Sequence, residues 1–278
     1  MREERGSSSA GIDGRELDVG YHGVQVVHGA SIRLLPGVVT ALVGPNGSGK
    51  STLLRALARL HRPTGGEVVL ADRTPARALT SKEFGRRVTL LAQSRPTPSG
   101  VTVRDVVAYG RYPYRSRWSA DDPGGPEAIA QAMEVTGVTA MADRPVDELS
   151  GGERQRVWLA TCLAQDTGVL LLDEPTTFLD LRYQIEILDL IRDLADDHAV
   201  AVGVVLHDLN HAAQVADHVV LLHGGRVRAA GDPAEVLTEK DLTEAYGIRI
   251  DVSSDPLTGA ITTCPVGRHT HRLRETTQ

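Results

Sequence analysis

The chain has 278 residues and a formal net charge of −6, which disfavours a protein that holds nucleic acid by broad electrostatic attraction. Its two cysteines, Cys162 and Cys264, are far apart and in no CxxC spacing, which is typical of a reducing compartment rather than of a disulfide or zinc framework. No apolar run approaches the ~20 residues of a membrane-spanning helix. Residues 1–14 are polar, without the apolar segment of a signal peptide, and are predicted to form a flexible tail.

The first predicted elements are strands that are half exposed. Segments 15–21 and 31–35 alternate polar and apolar residues, and segment 67–70 resembles them. We expect these strands to form a small antiparallel sheet on one side of the molecule.

Several later apolar runs show no such alternation. They are strand-sized and alternate with leucine-rich stretches at helical spacing, as at 53–60 and 181–194. Strands that are apolar on both faces favour a parallel sheet covered by helices, so an α/β fold is predicted. The runs lie at 38–43, 88–92, 169–173, 199–206 and 219–222.

A glycine-rich loop follows the first of these runs and precedes a predicted helix. It fits the pattern G-x-x-x-x-G-K-[ST] of phosphate-binding loops. Its glycines allow successive N–H groups to point inward, and the start of the helix adds partial positive charge. The lysine supplies a charge for the outer phosphates, and the serine hydroxyl is a potential Mg²⁺ ligand. The predicted nucleotide-binding residues are Gly44, Pro45, Asn46, Gly47, Ser48, Gly49, Lys50, Ser51 and Thr52.

Strand patterns disappear between about 97 and 165. Segments 102–109, 126–136 and 153–164 read as helices, with a Pro/Gly-rich interruption at 121–126. We interpret this region as a helical subdomain inserted between two strands of the core.

Two further strand ends carry reactive side chains. The run at 169–173 ends in Asp173-Glu174, where one carboxylate can hold Mg²⁺ and the other can orient an attacking water. His207 ends the next run. Because ligands gather at the carboxyl ends of parallel strands, these residues are expected to meet the phosphate loop. The alternatives are a solvated acidic pair and a structural histidine.

The segment LSGGERQR at 149–156 resembles the LSGGQ signature of ATP-binding-cassette (ABC) ATPases, which nucleotide kinases and GTPases lack. The resemblance covers about residues 15–248. It implies a P-loop NTPase core with an N-terminal antiparallel β subdomain and an inserted α-helical subdomain, followed by a short C-terminal extension at 249–278. In the family, the signature closes over ATP bound by a second cassette, which assigns Ser150, Gly151 and Gly152 to nucleotide binding.

Other motifs of the family follow in the expected order. Tyr21 matches the residue that stacks on adenine, although a lone tyrosine there is also typical of a turn. Gln93 matches the glutamine that contacts Mg²⁺ and water, Asp180 the aspartate that crosses the dimer interface, and His207 the histidine on the γ-phosphate. Glu153 and Thr177 replace the commoner Gln and Ser, and neither change removes a catalytic group.

The resemblance therefore implies an ATPase that uses ATP and Mg²⁺. Its implied catalytic residues are Glu174, His207, Lys50 and Gln93, and its implied metal ligands are Ser51, Gln93 and Asp173. Its implied partners are a second ABC ATPase subunit, forming a homodimer, and integral membrane permease subunits; an extracytoplasmic solute-binding protein would act indirectly, and no nucleic acid is expected. This places the chain peripherally at the cytoplasmic face of the membrane.

Segments 107–118, 176–188, 205–222 and 231–238 resemble ATPases that energise importers of ferric siderophores, haem and cobalamin, and an iron chelate is the predicted solute. A different solute, drug export, a soluble ABC ATPase acting on ribosomes or DNA, and a non-hydrolysing scaffold remain alternatives. Tyr112, Tyr114 and Trp118 either dock on the permease or pack beneath the insert. His269 and His271 are expected to be solvated rather than metal-bound.

Overall fold

The fold is that of an α/β protein with three parts, as the sequence predicts. A computed structural model of the chain describes residues 10–93, 96–115 and 122–268. A six-stranded, mostly parallel sheet forms the core, a three-stranded antiparallel sheet lies on one side, and a helical region lies between two core strands. Trp118, His269 and His271 fall outside the described residues.

The core sheet has the strand order β5-β6-β7-β3-β8-β9. Its first five strands pair in parallel, and β9 pairs antiparallel with β8. All residues of β3, β6 and β7 are buried, which explains why their sequences show no alternation. The strands are β3 (Val39–Val43), β5 (Val88–Leu91), β6 (Val169–Asp173), β7 (Ala201–Val205), β8 (His218–His223) and β9 (Arg226–Gly231).

Three helices around the core sheet follow its strands. They are α1 (Lys50–Leu57), α6 (Leu181–Asp196) and α7 (Leu209–Val215). Leu53, Leu54 and Leu57 of α1 are fully buried. Leu60 was predicted to continue their stripe, which is wrong: the helix ends at Leu57, so Leu60 lies beyond it and is 67% exposed.

The antiparallel sheet has the order β2-β1-β4. Its strands are β1 (Ile12–Tyr21), β2 (Val24–Leu34) and β4 (Gly65–Leu70). Strand β1 begins inside the segment predicted as a polar tail, because Ile12 pairs with Leu34 and Leu70 on its two sides and is buried. The ordered sheet thus starts three residues before the predicted boundary at residue 15.

The region between β5 and β6 is helical in its described parts. It contains α3 (Val103–Ala108), α4 (Gly125–Val135) and α5 (Gly151–Ala164), with short 3₁₀ turns between them. These helices share a separate hydrophobic cluster that includes Val106, Met133 and Val157. Helix α5 begins two residues before the predicted start at Glu153. A small helix, α2 (Ser81–Gly85), precedes β5.

The chain continues past the core sheet with two helices and a hairpin. Helices α8 (Pro233–Val236) and α9 (Glu239–Tyr246) lead to strands β10 (Ile250–Ser254) and β11 (Ile261–Pro265), which pair antiparallel. The Asn210 side chain of α7 holds this hairpin, since its Oδ1 accepts from the Thr263 amide at 2.7 Å. Within the ranges described, no helix has both the length and the apolar character to cross a membrane.

Candidate functional site

Three strand ends meet at one edge of the core sheet. Strand β7 lies between β6 and β3, so Asp173 at the end of β6 and His207 after β7 lie beside the loop after β3. A cleft of about 150 Å³ opens there. Its described lining residues are Val26, Asn46, Gly47, Gly49, Lys50, Ser51, Thr52, Glu174 and His207.

Glycine is required at two points of the loop at 44–51. Gly44 has φ 141°, and a Cβ there would lie 2.1 Å from the Leu222 carbonyl oxygen. Gly49 has φ 99° at the N-cap of α1, a conformation that side chains other than glycine rarely adopt. The buried Ser48 hydroxyl has no hydrogen-bond partner among the described residues. The loop is therefore a preformed, polar cradle at a helix start, which suits a phosphate group.

Lys50 lies inside this cradle. Its ammonium group donates to the carbonyl oxygens of Gly44 at 2.7 Å and Pro45 at 2.9 Å, and the residue is buried. Burial lowers the pKa of Lys50, and the nearby carboxylates of Glu174 and Asp173 oppose that shift. These carboxylates therefore favour the charged form of Lys50, which is the form that can bind an anionic ligand.

Asp173 is buried and held on both oxygens. Ser51 Oγ donates to its Oδ1 at 2.6 Å, and Arg55 Nη2 donates to its Oδ2 at 3.2 Å. The paired hydroxyl and carboxylate oxygens are hard donors of the kind Mg²⁺ prefers. Arg55 was not singled out from the sequence. No pattern marked it, because its partner is 118 residues away.

Glu174 is the centre of a polar cluster. Its Oε1 lies 2.6 Å from His207 Nε2, and its Oε2 accepts from Gln93 Nε2 at 2.5 Å and from Thr177 Oγ1 at 3.3 Å. Its backbone has φ 55°, a left-handed conformation that costs about 1–2 kcal/mol in a non-glycine residue. Such strain is typical of functional sites. The structure thus brings together three residues predicted to be catalytic.

The signature segment forms a capped helix start away from the cleft lining. Ser150 Oγ accepts from the Glu153 amide at 3.3 Å, and Glu153 Oε2 accepts from the Ser150 amide at 2.8 Å. These bonds explain why α5 starts at Gly151, and they hold the pKa of Glu153 below its usual value. Gly151 is exposed and Gly152 is buried.

Two other predicted residues lie near the ends of elements. Tyr21 ends β1 and packs on His61, with ring centroids 4.2 Å apart; it is not among the described lining residues, whereas Val26, which was not predicted, is. Asp180 caps α6, its Oδ1 accepting from the Tyr183 amide at 3.1 Å. Tyr246 was also missed: its hydroxyl accepts from the Gly44 amide at 3.1 Å.

This fold and this cleft define a P-loop nucleotide-binding protein, and sequence comparison narrows the class. The profile of the ABC transporter family matches residues 27–177, more than half of the chain. The chain belongs to the ABC transporter family, as one of its ATPase subunits.

Members of this family are similar to the chain over most of its length. The ferric enterobactin transport ATP-binding protein of Escherichia coli (strain K12) is 43% identical over 94% of this chain and 96% of its own length. An inward-facing metal-chelate type ABC transporter superposes with a TM-score of 0.80 at 26% identity, covering 94% of this chain and 98% of that one. The dimeric structure of a bacterial ABC transporter cassette superposes with a TM-score of 0.69 at 25% identity, covering 80% and 98%.

Proposed function

We propose that this chain is the ATP-hydrolysing subunit of an importer for ferric siderophores. The cluster formed by Glu174, Gln93 and His207 beside the phosphate cradle carries the proposal for ATP hydrolysis. Near-full-length similarity to a ferric enterobactin transport ATP-binding protein supports the iron chelate as the solute. The solute assignment rests on relatives alone, since an ATPase subunit of this kind does not touch the cargo.

The loop at 44–52 would bind the phosphates of ATP. The start of α1 lies at the cradle, and Lys50 would exchange its bonds to two carbonyl oxygens for bonds to the outer phosphates. Ser51, Asp173 and Gln93 would hold Mg²⁺, which neutralises charge on the phosphate oxygens. Tyr21 would stack on the adenine ring.

Glu174 would orient and deprotonate the attacking water. The water oxygen bonds to the γ-phosphorus as the bond to the oxygen bridging the β- and γ-phosphates breaks. The electron pair of that bond leaves with ADP, and the water proton passes to Glu174. His207, now 2.6 Å from Glu174, would hold the γ-phosphate. Thr177 Oγ1, which donates to Oε2 of Glu174 at 3.3 Å, would keep the carboxylate oriented when His207 and Gln93 turn to the γ-phosphate and Mg²⁺.

The signature residues Ser150, Gly151 and Gly152 would act on ATP bound by a second copy of the chain, with Asp180 at the interface. In this chain they do not line the cleft, and Gly151 is exposed, as an intermolecular role requires. The similarity to a dimeric cassette structure supports this arrangement.

The aromatic residues of the helical region suggest where the permease docks. Tyr112 is 71% exposed, whereas the Tyr114 ring lies between the guanidinium groups of Arg86 and Arg111, 5.2 and 3.8 Å from its centroid. We therefore assign Tyr112 to the permease contact and Tyr114 to packing within the chain. The subunit would sit at the cytoplasmic face of the membrane, reaching the extracytoplasmic solute-binding protein only through the permease.

Uptake of radioiron–siderophore by iron-starved cells tests the proposal. Cells lacking the gene are complemented with the wild-type chain or with Glu174→Gln. Uptake restored by the wild type alone would support both the solute and the need for hydrolysis. Unchanged uptake in the deletion strain, with no redundant importer active, would contradict the iron assignment, and a wider solute screen would follow.

A further inference from the structure

The ring of Tyr183 fills the space where a side chain at Gly152 would lie. Tyr183 is in the first turn of α6, and Gly152 is in the first turn of α5. A Cβ built on Gly152 would lie 2.6–2.8 Å from three atoms of the ring, which is closer than real Cβ contacts. The Tyr183 ring therefore requires glycine at this signature position, and it packs directly on the main chain of the helix start.

Two charged groups reinforce this contact. The Arg156 guanidinium of α5 lies 5.3 Å from the Tyr183 ring centroid, within cation–π distance. Its Nη1 also donates to Glu186 Oε2 of α6 at 2.5 Å. The starts of α5 and α6 are therefore joined by the packing of the Tyr183 ring and by the ion pair between Arg156 and Glu186.

Tyr183 is in turn fixed by the loop that follows Glu174. Its amide donates to Oδ1 of Asp180, the N-cap of α6, and Thr177 at the start of the loop bonds to the Glu174 carboxylate. The short segment from Glu174 to Tyr183, hydrogen-bonded near both of its ends, thus connects the catalytic carboxylate to the ring that packs on Gly152.

We propose that Tyr183 is a positioning residue that fixes the first turn of α5, so that the signature N–H groups are aligned before a second copy presents its ATP. The inference rests on the proposed function, in which the signature serves the partner's nucleotide. An exposed, glycine-rich helix start is flexible by itself, and ordering it in advance lowers the entropy cost of closing the dimer. The ring of Tyr183, and not its hydroxyl, makes the contact with Gly152.

Hydrogen–deuterium exchange on the nucleotide-free chain tests the positioning step without any partner. In Tyr183→Ala, the amides of residues 153–156 should exchange about 10-fold faster, because the first turn opens more often. Tyr183→Phe keeps the ring and should match the wild type, and exchange in β6 should be unchanged in both variants. Unchanged exchange at 153–156 in Tyr183→Ala overturns the proposal. If Tyr183→Ala also raises the exchange rate in β6, Tyr183→Leu is used in its place. The proposal is equally overturned if Tyr183→Leu does not raise the exchange rate of residues 153–156 selectively.

Mixed dimers in the assembled transporter test which ATP site depends on Tyr183. Differently tagged copies are combined so that Tyr183→Ala and Glu174→Gln lie either in opposite copies or in the same copy. With the substitutions in opposite copies, one intact Glu174 faces an intact signature, so hydrolysis should match a dimer of wild type with Glu174→Gln. With both in one copy, hydrolysis should fall about 10-fold further, because each site then lacks one component. The reverse pattern, or equal loss in both arrangements, overturns the proposal.

The same format applied to Ser150→Ala tests the proposed function separately. A difference between the two arrangements for Ser150→Ala shows that the signature acts across the dimer. If Ser150→Ala shows that difference and Tyr183→Ala does not, the inference about Tyr183 fails while the proposed function stands. If Ser150→Ala shows no difference, the proposal that the signature acts on ATP bound by the other copy is contradicted.

Discussion

Two regions of this molecule each contain a glycine-containing helix start, but different contacts hold the two in place. The loop at 44–51 follows a fully buried strand, and Lys50 and Ser51 are held by bonds to the loop itself and to Asp173. The segment at 150–152 follows a short 3₁₀ turn, and its exposed Ser150 and Gly151 depend on the cap formed by Glu153 and on the Tyr183 ring.

The difference shows how one chain can contain a complete cradle and an incomplete one. The first region brings Lys50, Ser51 and Glu174 to a single cleft, so we expect it to bind a nucleotide without a partner. The second is a helix start that does not line this cleft, and in the proposed function a second copy supplies its ligand. Substitutions in the first region should impair the isolated chain, whereas those in the second should show only when two copies meet.

The largest effect is expected for Glu174→Gln. The amide cannot accept the water proton, so ATP hydrolysis should fall by roughly 10²–10⁴ while ATP binding is retained and the closed dimer accumulates. Phosphate release and light scattering with ATP measure the two outcomes. Glu134→Gln on the exposed face of α4 is a matched control and should behave as wild type. Near-normal hydrolysis by Glu174→Gln would refute the catalytic assignment.

Lys50→Ala should weaken nucleotide binding itself. Loss of a charge-assisted contact to phosphate is worth about 1.5–3 kcal/mol, or about 10–100-fold in Kd. Fluorescent ATP titration of the isolated chain measures it, with Lys240→Ala on the surface as the control. Unaltered affinity would mean that the cradle does not bind the phosphates through Lys50.

Arg55→Ala tests whether Arg55 orients Asp173, one of the proposed Mg²⁺ ligands. Without its bond to Oδ2, Asp173 is free to turn away from Ser51, so the Mg²⁺ concentration for half-maximal hydrolysis should rise about 10-fold. Binding of ATP measured in excess chelator should stay unchanged, which separates this effect from that of Lys50→Ala. An unaltered Mg²⁺ requirement would show that Ser51 alone orients the carboxylate.

The sequence predicts the strands of the core better than it predicts the contacts that hold the site residues in place. Continuous apolar runs identify buried strands because burial on both faces removes alternation, and strand ends then locate Asp173 and His207. By contrast, some contacts join residues that are far apart in sequence, and no local periodicity encodes them: Arg55–Asp173, Tyr183–Gly152 and Tyr246–Gly44. The helix end before Leu60 was missed for a related reason: apolar spacing continued beyond the point where the backbone leaves the helix.

The smallest effect is expected for Tyr246→Phe. This variant tests whether a contact within the chain supports the loop at 44–51. The variant removes the acceptor of the Gly44 amide and should lower the free energy of unfolding by about 1 kcal/mol at pH 7. Burial raises the pKa of Tyr246 from 10.0 to about 12. Because the folded-state pKa lies above the unfolded one, the stability that depends on a neutral phenol at position 246 is fully present below about pH 10 and is lost as pH rises towards 12.

Urea unfolding of both chains between pH 8 and 11.5 measures this contribution. The wild type should lose stability more steeply above pH 10 than Tyr246→Phe does, by about 2 kcal/mol at pH 11.5. Only the wild type has a phenol at position 246, which is neutral while buried and ionises once unfolding exposes it. Tyr114, whose pKa burial also raises, is present in both chains and cancels in the difference. Parallel pH curves would contradict the burial of the Tyr246 hydroxyl in the folded chain, because burial raises its pKa whereas the hydrogen bond from the Gly44 amide opposes that rise.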